Sequence, residues 1–217
     1  MVGKIPMHTD YHNSRFVPDP RRDGLWKALW RFYFSRLITK DDVVLDLGCG
    51  YGDFINNVRA KRRIALDSWS DFPNFVESNI ETIVAESTDL SAIQNNSINF
   101  VFASNLFEHM SQNQLAISLE EISKKLVKGG QLTILQPNFR YCSTEYFDDF
   151  THVSIWSHIS LADFLVANGY EMIEIRSRFL PLTIKSRFPV NQFLIGLYLR
   201  FPFKPFGKQM LLRARPA

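Results

Sequence analysis

Val43-Val44-Leu45-Asp46-Leu47-Gly48-Cys49-Gly50-Tyr51-Gly52-Asp53-Phe54 is the stretch that decides how the remaining residues are read. Five residues of strand-forming character, 43–47, run straight into three glycines at alternate positions, and helix-like sequence follows. The pattern predicts a buried parallel strand ending in a turn that takes unusual dihedrals and lies against something bulky. Glycine supplies both properties, since it tolerates positive φ and has no Cβ. A helix beginning after such a turn offers unpaired N–H groups and a positive dipole end to a ligand. The spacing is not the G-x-G-x-x-G of dinucleotide binding, where the third glycine comes one place later.

Val44-Leu45-Asp46-Leu47-Gly48-Cys49-Gly50-Tyr51-Gly52 resembles instead the first motif of class I S-adenosylmethionine-dependent methyltransferases, close to V-L-D-x-G-C-G-x-G. All nine positions are in register, including the acid two residues before the first glycine. The resemblance implies an α/β, Rossmann-like fold with a seven-stranded, mostly parallel sheet, helices on both faces and an antiparallel final strand. It also implies S-adenosyl-L-methionine as cofactor, with Asp46, Gly48, Cys49, Gly50 and Gly52 around it.

The 217 residues suffice for one domain with a proper core. Two cysteines, Cys49 and Cys142, give neither metal-ligand spacing nor a disulfide framework, which suits a reducing cytoplasm. No apolar run approaches the roughly 20 residues of a spanning helix, and no signal-peptide core opens the chain. Charge is uneven. Nine of the 25 basic residues and none of the 22 acids fall within 175–217. A basic tail on an acidic body fits either a phosphate-rich or membrane-surface partner or a solvated face.

Residues 1–22 read as a flexible arm or lid, and 23–217 as the methyltransferase domain. His8 and His12 have helical spacing but no further ligands nearby, and read as solvent-exposed. Leu25, Trp26, Leu29, Trp30, Tyr33, Phe34 and Leu37 recur at three and four residues, which predicts an amphipathic helix capped by Asp23. A short helix over Phe54–Lys61 and a strand over Arg63–Asp67 come next. Asp67 stands about 20 residues after the glycine turn begins, where a carboxylate accepts ribose hydroxyls. Trp69 reads equally as an adenine-stacking ring or a core tryptophan. After a third strand, 82–85, the resemblance places an adenine-binding acid at Glu86, with Ser87 supplying the next N–H and Asp89 as the alternative.

Strand four, 98–103, leads into Ser104-Asn105-Leu106-Phe107-Glu108-His109. Ligands gather at the carboxyl edge of open α/β sheets, so Asn105 and His109 are candidates, while Glu108 reads as the turn capping the next helix. That helix is predicted over Gln112–Val127 with Gly129-Gly130 closing it, followed by strand five over Gln131–Leu135. Strand–helix alternation over this span argues a doubly wound sheet with right-handed crossovers.

Residues 137–158 are too long and too aromatic for a plain connection. Asp149-Phe150-Thr151-His152-Val153 followed by Trp156 resembles a segment after strand five in many small-molecule methyltransferases. An oxygen acceptor is a poor nucleophile until its proton leaves, so His152 oriented by Asp149 is a candidate base, alongside a purely structural reading as a loop tie. No metal-ligand cluster is read from the spacing.

A helix over Ser160–Asn168, a sixth strand over Tyr170–Arg176 and a delayed seventh over Gln209–Arg213 complete the order. Between the last two lies a basic, aromatic insertion, 179–207, whose central helix at Asn191–Phe201 is apolar nearly all round. It suits a membrane surface, a lipid-linked acceptor, a homodimer interface or simple burial. Phe179–Pro189 with Gly207–Met210 resembles methyltransferase-like proteins associated with cell-surface polysaccharide synthesis. The leading expectation is a cytoplasmic enzyme that O-methylates a small-molecule or glycan-type acceptor, in one version lipid-linked and met at the membrane periphery. A nucleic-acid methyltransferase is the alternative drawn by the basic tail, but Ser104-Asn105-Leu106-Phe107 replaces the Asn-Pro-Pro-Tyr/Phe motif of many base-methylating enzymes. A non-catalytic cofactor-binding scaffold is the third.

Overall fold

The structure, a computed structural model, describes residues 21–181, 192–201 and 203–217. Seven strands among them form one sheet: β1 (Val43–Leu47), β2 (Arg62–Asp67), β3 (Glu81–Val84), β4 (Ile98–Ser104), β5 (Leu126–Pro137), β6 (Tyr170–Pro181) and β7 (Gly207–Pro216). Their order is β3-β2-β1-β4-β5-β7-β6, with β7 antiparallel to both neighbours and the other pairings parallel. This is the Rossmann-like methyltransferase architecture expected from the glycine motif. The carboxyl ends of β1, β2 and β4 come together at one edge.

Alternation along the central strands explains the two cores. Leu45, Leu47, Ile64, Leu66, Val101 and Ala103 meet α2 (Gln112–Lys125) and, beyond the single turn α3 (Phe139–Cys142), α4 (His158–Ala167) on one face. Val44, Ala65, Phe100 and Phe102 face α1 (Arg21–Phe32) and its continuation through Phe34. Strands buried on both faces read as nearly continuous apolar runs, which is how Val43–Leu47 and Ile98–Ala103 look in sequence but for Asp46 and Asn99.

Several local expectations are corrected. Among the described residues helix α1 already runs from Arg21, so Asp23 lies within it rather than capping it, paired with Lys27 at 2.7 Å; residues 1–20 of the arm lie outside the described residues. The helix expected over 54–61 is a single 3-10 turn, Ile55–Asn57. Asparagines cause this, because Asn57 bonds the Asp53 carbonyl while Asn56 donates to Phe75 O and accepts from Glu77 N. Gly129-Gly130 does not close a helix. Helix α2 stops at Lys125, Leu126 turns extended and pairs with Ile98, and the glycines lie inside β5 at a register shift. A Cβ on Gly130 would stand 3.0 Å from the carbonyl oxygens of Ile98 and Val127, so this close approach of backbones is what the glycine serves.

Strand β6 runs on to Pro181, which makes 179–181 strand rather than insertion. Helix α4 begins two residues earlier than expected, at His158, under a Ser157–Ser160 capping box. Residues 182–191 of the insertion, Arg187 included, lie outside the described residues. The insertion's helix, α5 (Gln192–Arg200), packs on α1 through Gly196, where a Cβ would come within 2.6–2.8 Å of the Phe32 ring.

Candidate active site

Gly48, Gly50 and Gly52 all have positive φ, at 69°, 52° and 69°, the conformation that favours glycine. The turn is fastened to β2: the N–H groups of Gly48 and Cys49 donate to Leu66 O, and that of Gly50 donates to Asp67 Oδ2 at 2.8 Å. Asp67 Oδ1 accepts from Trp69 N at 2.9 Å. Each Asp67 oxygen therefore keeps lone-pair capacity for a further donor. A Cβ on Gly48 would stand 2.9 Å from Leu106, so the turn and the segment after β4 are in close contact.

The turn is strongly acidic inside. Asp46 is buried, and burial first, then the neighbouring Asp67 charge, push its carboxyl well above the usual range, against the pull of the Ile55 N–H. Asp53 is raised by burial too, although Arg22 of α1 meets it at 2.6 Å. A cationic ligand would relieve this crowding, and S-adenosylmethionine carries both a sulfonium and an ammonium group. The residues present thus fit that cofactor.

Trp69 is largely buried, stacked on Phe75 at 5.1 Å and edge-on to Tyr51. Glu86 lies exposed just beyond β3, and Ser87 Oγ donates to Met110 Sδ at 3.5 Å. Asp89, the alternative to Glu86, caps the N–H of Ser91. Asn105 follows β4 with φ 49°, rare for a residue with a side chain, and its Oδ1 accepts from Gln209 of β7. Cys49 is buried with its thiol pushed well up by burial and by Asp46.

The acceptor-side candidates converge from two segments. Val153 and Ser154 donate their N–H groups to Glu108 O, Ser154 Oγ donates to Met110 O, and Trp156 Nε1 donates to Phe107 O. These bonds lay the 149–156 loop along the 107–110 turn. His109 and His152 stand with ring centroids 4.9 Å apart. Asp149 Oδ1 accepts from the Thr151 hydroxyl at 2.6 Å, and Thr151 Oγ1 lies 2.9 Å from His109 Nδ1. Since the threonine proton points to Asp149, His109 Nδ1 donates to the threonine oxygen. The hydrogen bonds of Asp149 therefore run through Thr151 to His109, while His152 Nδ1 donates to Tyr146 O at 2.6 Å. Burial and His152 hold the His109 imidazole below 6.5. Burial would raise Asp149, but the Thr151 bonds and both imidazoles hold it below the usual value.

Glu108, which the sequence suggested was a helix cap, is fully buried and points neither oxygen at a hydrogen-bond partner. Ser111 caps α2 instead. Burial pushes the Glu108 carboxyl up to about 8. Glu108, His109 and His152 offer ligand atoms all within 4.8 Å of one another. This is a cluster that no local spacing announces, because His152 comes from another loop.

Residues 44–130 match a family model described as a methyltransferase domain. Among solved structures, the chain resembles a chain of the complex between the Haloferax volcanii Trm112 methyltransferase activator and its methyltransferase partner, at 18% identity and TM-score 0.69, covering 96% of this chain and 97% of that one. It resembles a SAM-dependent methyltransferase from Archaeoglobus fulgidus at 20% identity and TM-score 0.67, covering 97% and 99%. An S-adenosylmethionine-dependent methyltransferase from Mesorhizobium loti aligns at 14% identity and TM-score 0.62, covering 87% and 97%. At such identities these likenesses speak for the fold. No curated protein sequence matches the chain. Residues 44–130 thus match a methyltransferase domain, set in a fold shared with solved S-adenosylmethionine-dependent methyltransferases.

Proposed function

We propose that the protein O-methylates a small-molecule or glycan-type acceptor, presented as a lipid-linked molecule at the cytoplasmic membrane surface. The observation that carries this reading is the continuity of 104–110: one segment packs against the glycine turn through Leu106 and supplies Glu108 and His109 to the acceptor cluster. In this reading Gly48, Cys49, Gly50 and Gly52 give the backbone face for S-adenosylmethionine, Asp46 balances its positive charge, and Asp67 accepts from the ribose. Trp69, Glu86 and Ser87 border the adenine, and Asn105 borders the methionine part. When bound, the cofactor supplies an electrophilic methyl group on a sulfonium sulfur.

Such a methyl group needs alignment with its acceptor more than activation. An acceptor hydroxyl must still lose its proton. His109, His152 and Asp149 form the basic pole towards which that proton is drawn, with both imidazoles fixed in one tautomer by Nδ1–H donation. Lipid presentation is supported by an exposed apolar patch of Phe193, Leu194, Leu197, Phe201, Phe203 and Phe206. Lys204 is not part of a basic rim, since its ammonium bonds the Tyr198, Leu199 and Phe201 carbonyls at the end of α5. No described helix is long and apolar enough to cross a membrane.

Calorimetric titration with S-adenosylmethionine and S-adenosylhomocysteine tests the cofactor assignment. Micromolar binding by the wild type, at least ~10-fold weaker in Asp67→Ala, is expected; absence of binding by folded protein overturns it. Sedimentation with anionic phospholipid vesicles tests the surface. Binding lost in Phe203→Ser/Phe206→Ser is expected, whereas a concentration-dependent dimer without vesicle binding assigns the patch to self-association.

A further inference from the structure

We infer that Glu108, His109 and His152 form a binding site for one divalent first-row transition-metal ion, which takes the acceptor oxygen as a further ligand. The acceptor role rests on the methyl-transfer reading above; the ion site itself stands on three observations independent of it.

The first is Glu108. A fully buried carboxyl group with no hydrogen-bond partner on either oxygen among the described residues is costly unless something meets it. Among the described residues no side-chain or backbone donor makes a hydrogen bond to it, while donor atoms of two imidazoles lie within 4.8 Å. The second is convergence. The three donor atoms lie within 4.8 Å of one another, while donors bound at about 2.0–2.2 Å to one ion stand roughly 3–4 Å apart. Rotamer adjustments of well under a side-chain length close that difference.

The third is the imidazole tautomers. Metal-bound histidines characteristically donate their other ring N–H to a carbonyl or, directly or through a bridge, to a carboxylate, which orients the ring and sharpens the lone pair. Here His152 Nδ1 donates to Tyr146 O, and His109 Nδ1 donates to Thr151 Oγ1, whose own proton goes to Asp149. Both rings therefore carry their lone pair on Nε2. The hydroxyl of Tyr146 is in turn bound to Ser154 O at 2.5 Å, so the supporting shell is itself fixed. Loop ties of this kind would be needless elaboration around two histidines that only filled space.

The donor set selects the class of ion. Two imidazoles and one carboxylate suit Zn²⁺, Fe²⁺, Co²⁺ or Mn²⁺ and leave coordination positions open, whereas Mg²⁺ and Ca²⁺ call for oxygen throughout. An acceptor hydroxyl occupying an open position becomes more acidic and passes its proton to water. With the ion bound the two imidazoles serve as its ligands, and the proton that they draw in the ion-free site is released to water instead.

The test uses the full chain, stripped with chelator and checked for its fold by circular dichroism. Titration with Zn²⁺, and with Co²⁺ followed by its visible absorption, is expected to show one ion per chain. Glu108→Gln and His152→Gln are each expected to weaken binding at least ~10-fold, and Thr151→Val by about as much through the loss of His109 orientation. Folded protein that takes up neither ion stoichiometrically overturns the site. So does unchanged binding in folded His152→Gln, or binding lost instead in His8→Ala/His12→Ala, which would place the ion on the N-terminal arm. Should Glu108→Gln not fold, His152→Gln and Thr151→Val carry the decision. Parallel titration with S-adenosylmethionine separates the two readings. Ion bound without cofactor keeps the site and overturns methyl transfer, and cofactor bound without ion does the reverse.

Discussion

Asp46 shows what a single residue can concede to function. Its carboxyl sits at the end of β1 in a dry environment beside Asp67, with only the Ile55 N–H in its favour. Because its folded value is raised, the native state holds this proton more tightly than the unfolded chain does. The resulting penalty is absent below about pH 4 and grows as pH rises towards the folded value. Asp46→Asn keeps the shape and removes the charge. Its melting temperature is expected to match the wild type near pH 4 and to exceed it at pH 7 by roughly 2–4 °C, the shift of about 1 kcal/mol in a domain of this size. Affinity for S-adenosylmethionine should fall about 10-fold by calorimetry, in the usual exchange of stability for function. An equal shift at both pH values would disprove the electrostatic account. The placing of Asp46 and Asp67 beside the glycine turn was legible because each sits at a fixed offset from the glycines. Glu108 was not, since its meaning depends on His152 and on burial, neither of which a local window contains.

At the scale of elements, caps and close contacts decide what periodicity leaves open. Helix α2 starts at a capping box in which Ser111 accepts from the Gln114 N–H and the Gln114 side chain returns to Ser111 N. Ser111→Ala should cost about 1 kcal/mol in denaturant unfolding, with the slope unchanged. Where Gly129-Gly130 follows, sequence reading favours a helix stop; the β-pairing of Leu126 with Ile98 overrides it, and pairing partners are nonlocal. Helix α5 is the converse case. Its composition alone left membrane surface, interface and burial open, and the structure divides the faces: Gly196 and Leu199 pack inward while Phe193 and Leu197 stay exposed. Gly196→Leu drives a side chain into the Phe32 ring and should detach α5 from α1, read as new protease cleavage within 192–206. Protection equal to wild type would show that another contact anchors the helix.

Across the whole molecule, the alternation of strands and helices was enough to specify a doubly wound sheet, but not the bonds that close it. Glu174 of β6 is one such closure. Its Oε2 accepts from Tyr33, just after α1, at 2.9 Å and from Arg213 of β7 at 3.0 Å, while Arg176 meets Oε1. Arg213 extends the network to Gln131 of β5 at 2.7 Å. One carboxylate thus joins the segment after α1 to the last three strands of the sheet order. Burial would raise it, but the bonds from Arg176, Arg213 and Tyr33 hold it below its usual 4.5. For a depressed carboxyl the sign is opposite to that of Asp46. Its stabilisation is present in full above the unfolded value and drains away as pH falls through the folded one, because there the unfolded chain binds more protons. Glu174→Gln should therefore lower stability at pH 7 and flatten the loss of stability below pH 4.5, so that the mutant and wild-type curves converge in acid. Urea midpoints taken between pH 3 and 7 would show this. Parallel curves would mean that Glu174 holds Tyr33 and the last strands together by shape alone.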